Sequence, residues 1–248
     1  MYIDIHAHLE TFKNPGEIVE QARKKGVRII VAHGINASTN RKTLELAEKY
    51  EEVRAALGIY PDEILKMKGE EIEKEIRFIE KNKDNIFSVG EIGLDGTYEN
   101  MERQKKYFIK QIELALKIGK PVIVHSRKAE EEVIEILEKY YAEGNKKLKV
   151  IMHCFCGNKK LVQRIISNGW FLSIPANVKY NQQFQENVLL CPVEQLFCET
   201  DSPYLHPDKK FPNMPENVIE SYKKIAEIKG IGIEKVEKRV ERNFRELE

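Results

Sequence analysis

Cysteine is scarce in this chain, with four among 248 residues. So few thiols cannot brace a chain of this length as a disulfide scaffold, and free cysteines in a reducing cytoplasm are expected. Long apolar runs are missing too. None approaches the roughly 20 residues that cross a bilayer, so no membrane association is expected. The opening stretch, Met-Tyr-Ile-Asp-Ile-His-Ala-His-Leu-Glu, carries no basic segment and puts two histidines where a signal peptide needs an apolar core. Charge of one sign is absent: 41 Lys and Arg face 40 Asp and Glu, for a formal net charge of +1. This excludes a strong overall positive field for holding nucleic acid and leaves room for a local basic groove only. No linker, low-complexity segment or shift of composition divides the chain, so residues 1–248 are expected to form a single barrel-sized domain. What the chain does have is 42% hydrophobic residues, spread along its whole length, enough for a sizeable core.

Short apolar runs alternate with longer amphipathic segments. The runs over residues 2–8, 27–34, 53–60, 86–95, 121–127, 148–155, 170–175 and 196–201 are rich in Ile, Val and Phe. Continuous apolar runs of that kind suit strands buried on both faces, as in a parallel sheet. Between them the spacing predicts helices over 15–25, 38–50, 100–118, 128–141 and 158–167. Asn14-Pro15 supplies a cap and first turn, and Gly119-Lys120-Pro121 a helix stop leading into a strand. Glu143-Gly144-Asn145 and Asn168-Gly169 read as turns. Residues 215–248 read as two helices broken at Gly230-Ile231-Gly232. Alternation over eight strands points to an α/β domain closed as a (β/α)8 TIM barrel. The alternative is an open doubly wound sheet, which usually carries a Gly-rich turn after its first strand. Here the first strand ends in His-Ala-His.

The polar residues fall at one end of these strands. His6 and His8 close the first, Glu91 and Asp95 the fourth, His125 the fifth, His153 the sixth and Asp201 the eighth. In a barrel those ends converge on one mouth. Residues two apart on a strand point the same way, so His6 and His8 can grip one cation while Ala7 points away. Four imidazoles and two carboxylates suit zinc or another first-row divalent ion better than calcium. Six such ligands exceed the need of one tetrahedral ion, and a shared carboxylate would let them hold two ions about 3.5–4 Å apart. A lone His-x-His pair is more often core or surface. Four histidines inside apolar runs, where an unpaired polar group is costly, point jointly to a metal site. His33 also ends a strand, with no ligand near it in sequence, and reads as a structural or rim histidine. His206, in a Pro-rich loop, is open between metal ligand, supporting group and solvated side chain. Cys154 and Cys156 lack a zinc-knuckle spacing, and Cys191 and Cys198 read as buried apolar fillers.

A series of motifs runs in order along nearly the whole chain. They are Ile3-Asp-Ile-His-Ala-His-Leu9, Gly90-Glu-Ile-Gly-Leu-Asp95, then Gln104, Phe108 and Gln111 leading into Ala115-Leu116, and Pro121-Val-Ile-Val-His-Ser-Arg127. His153-Cys-Phe-Cys-Gly157, Gly169-Trp-Phe-Leu-Ser-Ile174 and Glu199-Thr-Asp-Ser-Pro-Tyr-Leu205 complete the series. In these the chain resembles the TatD-type metal-dependent deoxyribonucleases, within the amidohydrolase-like barrels. The resemblance implies that His6 and His8 bind a first metal with Asp201, and that Glu91 bridges to a second held by His125 and His153. It places Ser126 and Arg127 where phosphate oxygens are contacted, and His206 is a further candidate for substrate contact. The cofactors implied are two divalent ions, zinc, magnesium, manganese or similar. The activity implied is two-metal hydrolysis of phosphodiester bonds, by a 3′–5′ exonuclease acting on single-stranded DNA. DNA would be a transient substrate, with RNA also compatible. Asp201 is the expected proton acceptor, acting with Glu91 and Arg127.

Two rival readings stand beside this one. The same barrel could serve a metal-dependent amidohydrolase or deacylase, since fold does not fix the bond cleaved. A non-catalytic metal-bound scaffold is disfavoured by the full ligand set. No long exposed amphipathic stripe or charged tail advertises an obligate protein partner. The chain also departs from the family pattern. Cys156 stands where serine is usual, Gly96 where tyrosine often follows Gly-Leu-Asp, and Pro212 where a basic residue commonly precedes Asn213.

Overall fold

The computed structural model describes residues 1–142 and 148–248. Eight strands lie side by side in sequence order, all parallel. They are β1 (Tyr2–Ala7), β2 (Val27–Gly34), β3 (Val53–Leu57), β4 (Ser88–Gly93), β5 (Val122–His125), β6 (Val150–Met152), β7 (Phe171–Pro175) and β8 (Leu196–Glu199). The sheet closes where the chain leaves β8. Asp201 N donates to His6 O at 2.9 Å and His8 N donates to Ser202 O at 2.8 Å, beside a parallel bridge between Ala7 and Ser202. The closed (β/α)8 barrel is therefore the architecture, and the open sheet is excluded.

Helices coat the outside: α1 (Pro15–Lys24), α2 (Ala37–Lys49), α3 (Pro61–Lys66), α4 (Gly69–Lys81), α5 (Met101–Ile118), α6 (Glu130–Ala142), α7 (Lys159–Ser167), α8 (Gln182–Leu190), α9 (Val218–Lys229) and α10 (Ile233–Arg245). With helices outside and side chains filling the interior, strands are buried on both faces. β2 is buried at every position but Arg28, and β7 at all five of its positions. Each helix buries one stripe. On α10 this is Val236, Val240 and Phe244, four residues apart, and the Phe244 ring stacks on Phe87 at 4.7 Å. The stop expected after residue 118 is real: Gly119 ends α5 in the left-handed region at φ 70°, where the missing Cβ removes the steric cost.

Three helices escape the sequence reading. α4 carries buried Ile72 and Ile79 at helical spacing, but among many charged residues. The single turn and a half of α3 is too short to show a period. In α8 only Phe184 and Val188 supply a buried apolar signal, amid glutamine and asparagine. Most strands stop short of their expected C-terminal ends. Beyond Leu57, Gly93, His125, Met152 and Glu199 the regular strands end and the chain turns into the mouth, with only scattered backbone bonds between neighbours. The turn expected at 143–145 lies outside the described residues.

Candidate metal centre

The barrel mouth gathers the six expected donors. His6 lies within β1 and His8 just past it; Glu91 lies in β4, His125 ends β5, His153 follows β6 and Asp201 follows β8. His6, His8, Glu91 and His153 are buried. The Nε2 atoms of His6 and His8 face each other at 3.3 Å. They lie 3.5 and 3.7 Å from Glu91 Oε2, and 3.8 and 3.5 Å from Asp201 Oδ1. The other oxygen, Glu91 Oε1, is 2.9 Å from His125 Nδ1 and 3.9 Å from His153 Nε2. Donor atoms come within 4.8 Å of one another in three groups built from these residues: His6, His8 and Glu91; Glu91, His125 and His153; and His6, His153 and Asp201.

The donor chemistry fits a transition-type divalent ion. Imidazole nitrogens and carboxylate oxygens at these spacings suit zinc, manganese or a similar ion. Two imidazole nitrogens that point at each other cannot both be satisfied as acceptors except by a shared cation or proton. A fourth group joins His153, Cys154 and Glu199. There burial, with Glu199 and Asp201 close by, holds the Cys154 thiol well above its ordinary pKa.

Behind the donors stands a supporting layer, of which the sequence reading places Asp95 and His33 at strand ends without giving them these contacts. Asp95 Oδ2 meets His125 Nε2 at 3.0 Å, and the Tyr60 hydroxyl donates to the same oxygen at 3.1 Å. Glu199, wholly buried, holds three groups: His153 Nδ1 at 2.8 Å, the Cys154 backbone N–H at 3.1 Å and the Ser173 hydroxyl at 2.5 Å. His8 Nδ1 lies 3.3 Å from the His33 carbonyl and 3.4 Å from Glu10. The His6 ring is sandwiched between those of His33 and His153, each with its centroid 3.7 Å away. Asp4 accepts from the Thr200 N–H and hydroxyl, fixing the turn that presents Asp201. A carboxylate or carbonyl behind a histidine fixes its tautomer and direction. The available signal was a carboxylate inside an apolar strand, as Glu199 is in Leu-Phe-Cys-Glu.

The remaining candidates sort as follows. His33 is the structural histidine expected: fully buried, with its Nε2 on the Ile5 carbonyl at 3.2 Å. His206 accepts from the Asp208 N–H through Nδ1 and joins none of the donor groups. Ser126 is buried beside His125. Arg127 is exposed and forms no ion pair among the described residues, and the nearby Glu130 accepts from the Lys128 N–H. Arg127 lies two residues beyond the end of β5, where its carbonyl accepts from the Gly96 N–H at 2.8 Å. Cys191 and Cys198 are buried fillers. Gly96 has a cause of its own: a Cβ there would collide with the Lys128 carbonyl oxygen, so this backbone has no room for tyrosine.

Electrostatics divide the donors into two kinds. Burial, with His153 and His33 close by, keeps His6 well below its ordinary pKa. Glu91 is held ionised against its burial by hydrogen bonds from His125 and His6. In His153 burial works downward, but Glu199 and Glu91 outweigh it and push the imidazole up to about 9. His8 and His125 are raised likewise, against burial, by Asp201 and Glu10 and by Asp95 and Glu91.

Two expectations follow from this arrangement. Glu199→Gln should weaken metal binding about ten- to a hundredfold, read by titrating metal into chelator-stripped protein; unchanged affinity would reduce Glu199 to packing. The second concerns pH. The folded pKa of His153 lies above the unfolded value of 6.5. Its contribution to the stability of the stripped protein is therefore full below pH 6.5 and lost as pH rises through about 9. Metal must displace that proton, so affinity should climb by about tenfold per pH unit for each proton released, levelling above pH 9. Affinities that stay flat from pH 6.5 to 9 would rule this out.

The sequence matches the TatD-related DNase family over residues 3–248. It is 34% identical over 245 residues to an uncharacterized metal-dependent hydrolase of Methanocaldococcus jannaschii, covering 98% of this chain and 94% of that protein. It is 33% identical over 250 residues to the deoxyribonuclease TATDN3 of Homo sapiens, covering 94% of this chain and 89% of that protein. Among solved structures, a TatD homologue from Escherichia coli shares the fold with a TM-score of 0.89 at 24% identity, over 98% of this chain and 95% of that one. A match that runs from the first strand through the last helix leaves one family for this barrel: the chain belongs to the TatD-related DNases, metal-dependent hydrolases acting on ester bonds.

Proposed function

We propose that residues 1–248 act as one hydrolase barrel that cleaves phosphodiester bonds with two divalent ions, removing nucleotides from the 3′ ends of single-stranded DNA. The observation that carries this reading is the division of Glu91: one carboxylate oxygen faces His6 and His8, the other faces His125 and His153. His6, His8 and Asp201 would hold one ion, His125 and His153 the other, with Glu91 shared. The ions supply charge for activating water and for neutralising the phosphate in the transition state. The protein's own groups do the rest. Asp201, half-buried at the edge of the mouth, takes the proton of the attacking water. Asp95 and Glu199 keep His125 and His153 aimed. Ser126 and the free guanidinium of Arg127 stand beside His125 to meet phosphate oxygens. All four cysteines are free thiols, which supports a reducing, cytoplasmic setting.

The test is to strip the protein with a chelator, add back single divalent ions and follow a 3′-labelled single strand. Label released as mononucleotide from the earliest times is the expected result. Internal fragments would make the enzyme an endonuclease, and cleavage of model acyl esters with no loss of DNA would favour a deacylase. Arg127→Ala should lower kcat/KM on the strand about tenfold, the worth of a charged hydrogen bond, with metal content unchanged. Wild-type kinetics would remove Arg127 from the site.

A further inference from the structure

Between Pro203 and Asn213 the chain makes a loop at the barrel mouth whose ends are pinned together. Asn213 N donates to the Pro203 carbonyl at 2.8 Å, and the buried Asn213 side chain donates to the Thr200 carbonyl at 2.9 Å. The loop carries two of the most exposed aromatic rings among the described residues, Tyr204 at 54% and Phe211 at 74%. They are not scattered. The Tyr204 ring lies 6.4 Å from that of His8, and the Phe211 ring lies 6.5 Å from that of Tyr204. A row of rings thus leads outward from the donor cluster into solvent. Beside it, Lys209 and Lys210 are exposed and form no ion pair among the described residues, and Lys209 Nζ sits 4.7 Å from the Tyr180 ring centroid.

Exposed rings could also dock a protein, but protein interfaces are depleted of lysine. Aromatic faces with unpaired cations are the combination that holds single-stranded nucleic acid, bases on the rings and phosphates on the cations. We propose that this loop is a base-stacking subsite. Phe211, backed by Tyr204, takes an unstacked base close to the scissile phosphodiester, and Lys209 and Lys210 take flanking phosphates. Stacking accepts any base, so the subsite grips the strand without reading sequence. This inference rests on the phosphodiester reading above.

The metal-loaded enzyme tests it with a single-stranded oligonucleotide carrying 2-aminopurine near its 3′ end. Phe211→Ala should raise KM about tenfold, within the range for losing one base stack. It should also abolish the quenching of 2-aminopurine seen on binding to the wild type, while Phe211→Trp restores both. On an oligonucleotide whose nucleotides near the 3′ end are abasic, with no ring to stack, Phe211→Ala and the wild type should have the same KM. A wild-type KM and wild-type quenching in Phe211→Ala would overturn the subsite and leave the phosphodiester reading intact. A wild-type enzyme that neither binds nor cleaves the oligonucleotide while hydrolysing acyl esters would overturn both.

Discussion

Glutamine at position 91 is expected to lower turnover by on the order of a thousandfold and to leave no more than one tightly held ion per chain. Glu91 is buried, is ionised against its burial, and has a different set of imidazoles on each of its two oxygens. An amide has the same shape but no net charge, and one of its two ends is an NH2 that cannot face a cation. Both donor groups are therefore weakened at once. Ion-derived charge stabilisation is worth several kcal/mol, which is the thousandfold. Metal analysis of the loaded wild type should give two ions per chain. A wild type that never exceeds one would sink the two-ion reading, and a variant that keeps two would show that the bridge is dispensable.

Asp201→Asn separates two roles by a different route. Asp201 stands between β1 and the mouth, with Oδ1 3.5 Å from His8 Nε2 and its backbone N–H tied to the His6 carbonyl. Asparagine keeps the size and an oxygen that can touch metal, but it accepts no proton from water. Turnover should fall by a factor on the order of a hundred to ten thousand, the usual worth of general-base help, with a modest loss of metal affinity. Raising the metal concentration distinguishes the causes. Activity that stays low at saturating metal assigns the proton transfer to Asp201. Full recovery at saturating metal would leave Asp201 as a ligand only.

The six donors were legible because each interrupts an apolar strand, and because His6 and His8 sit two apart, where a strand must present them together. The roles of their partners were not, although Asp95 already stood out at the end of its apolar strand. Asp95 and Glu199 matter through contacts 30 and 46 residues away in sequence, and no local period encodes such a contact. The barrel was legible from eight apolar runs, whereas α8 was hidden because glutamine and asparagine cover most of its surface.

The seam that closes the barrel has a consequence for the life of the chain. It joins the first strand to the last, and the atoms that make it, the His6 carbonyl and the Asp201 N–H, belong to residues of the donor cluster. A polypeptide still on the ribosome, with residues 196–202 not yet added, lacks both Asp201 and Glu199 and has nothing to pair with the open edge of β1. Closure of the barrel and completion of the centre are then one event. The donor cluster is complete only where the first strand and the segment after the last strand have met.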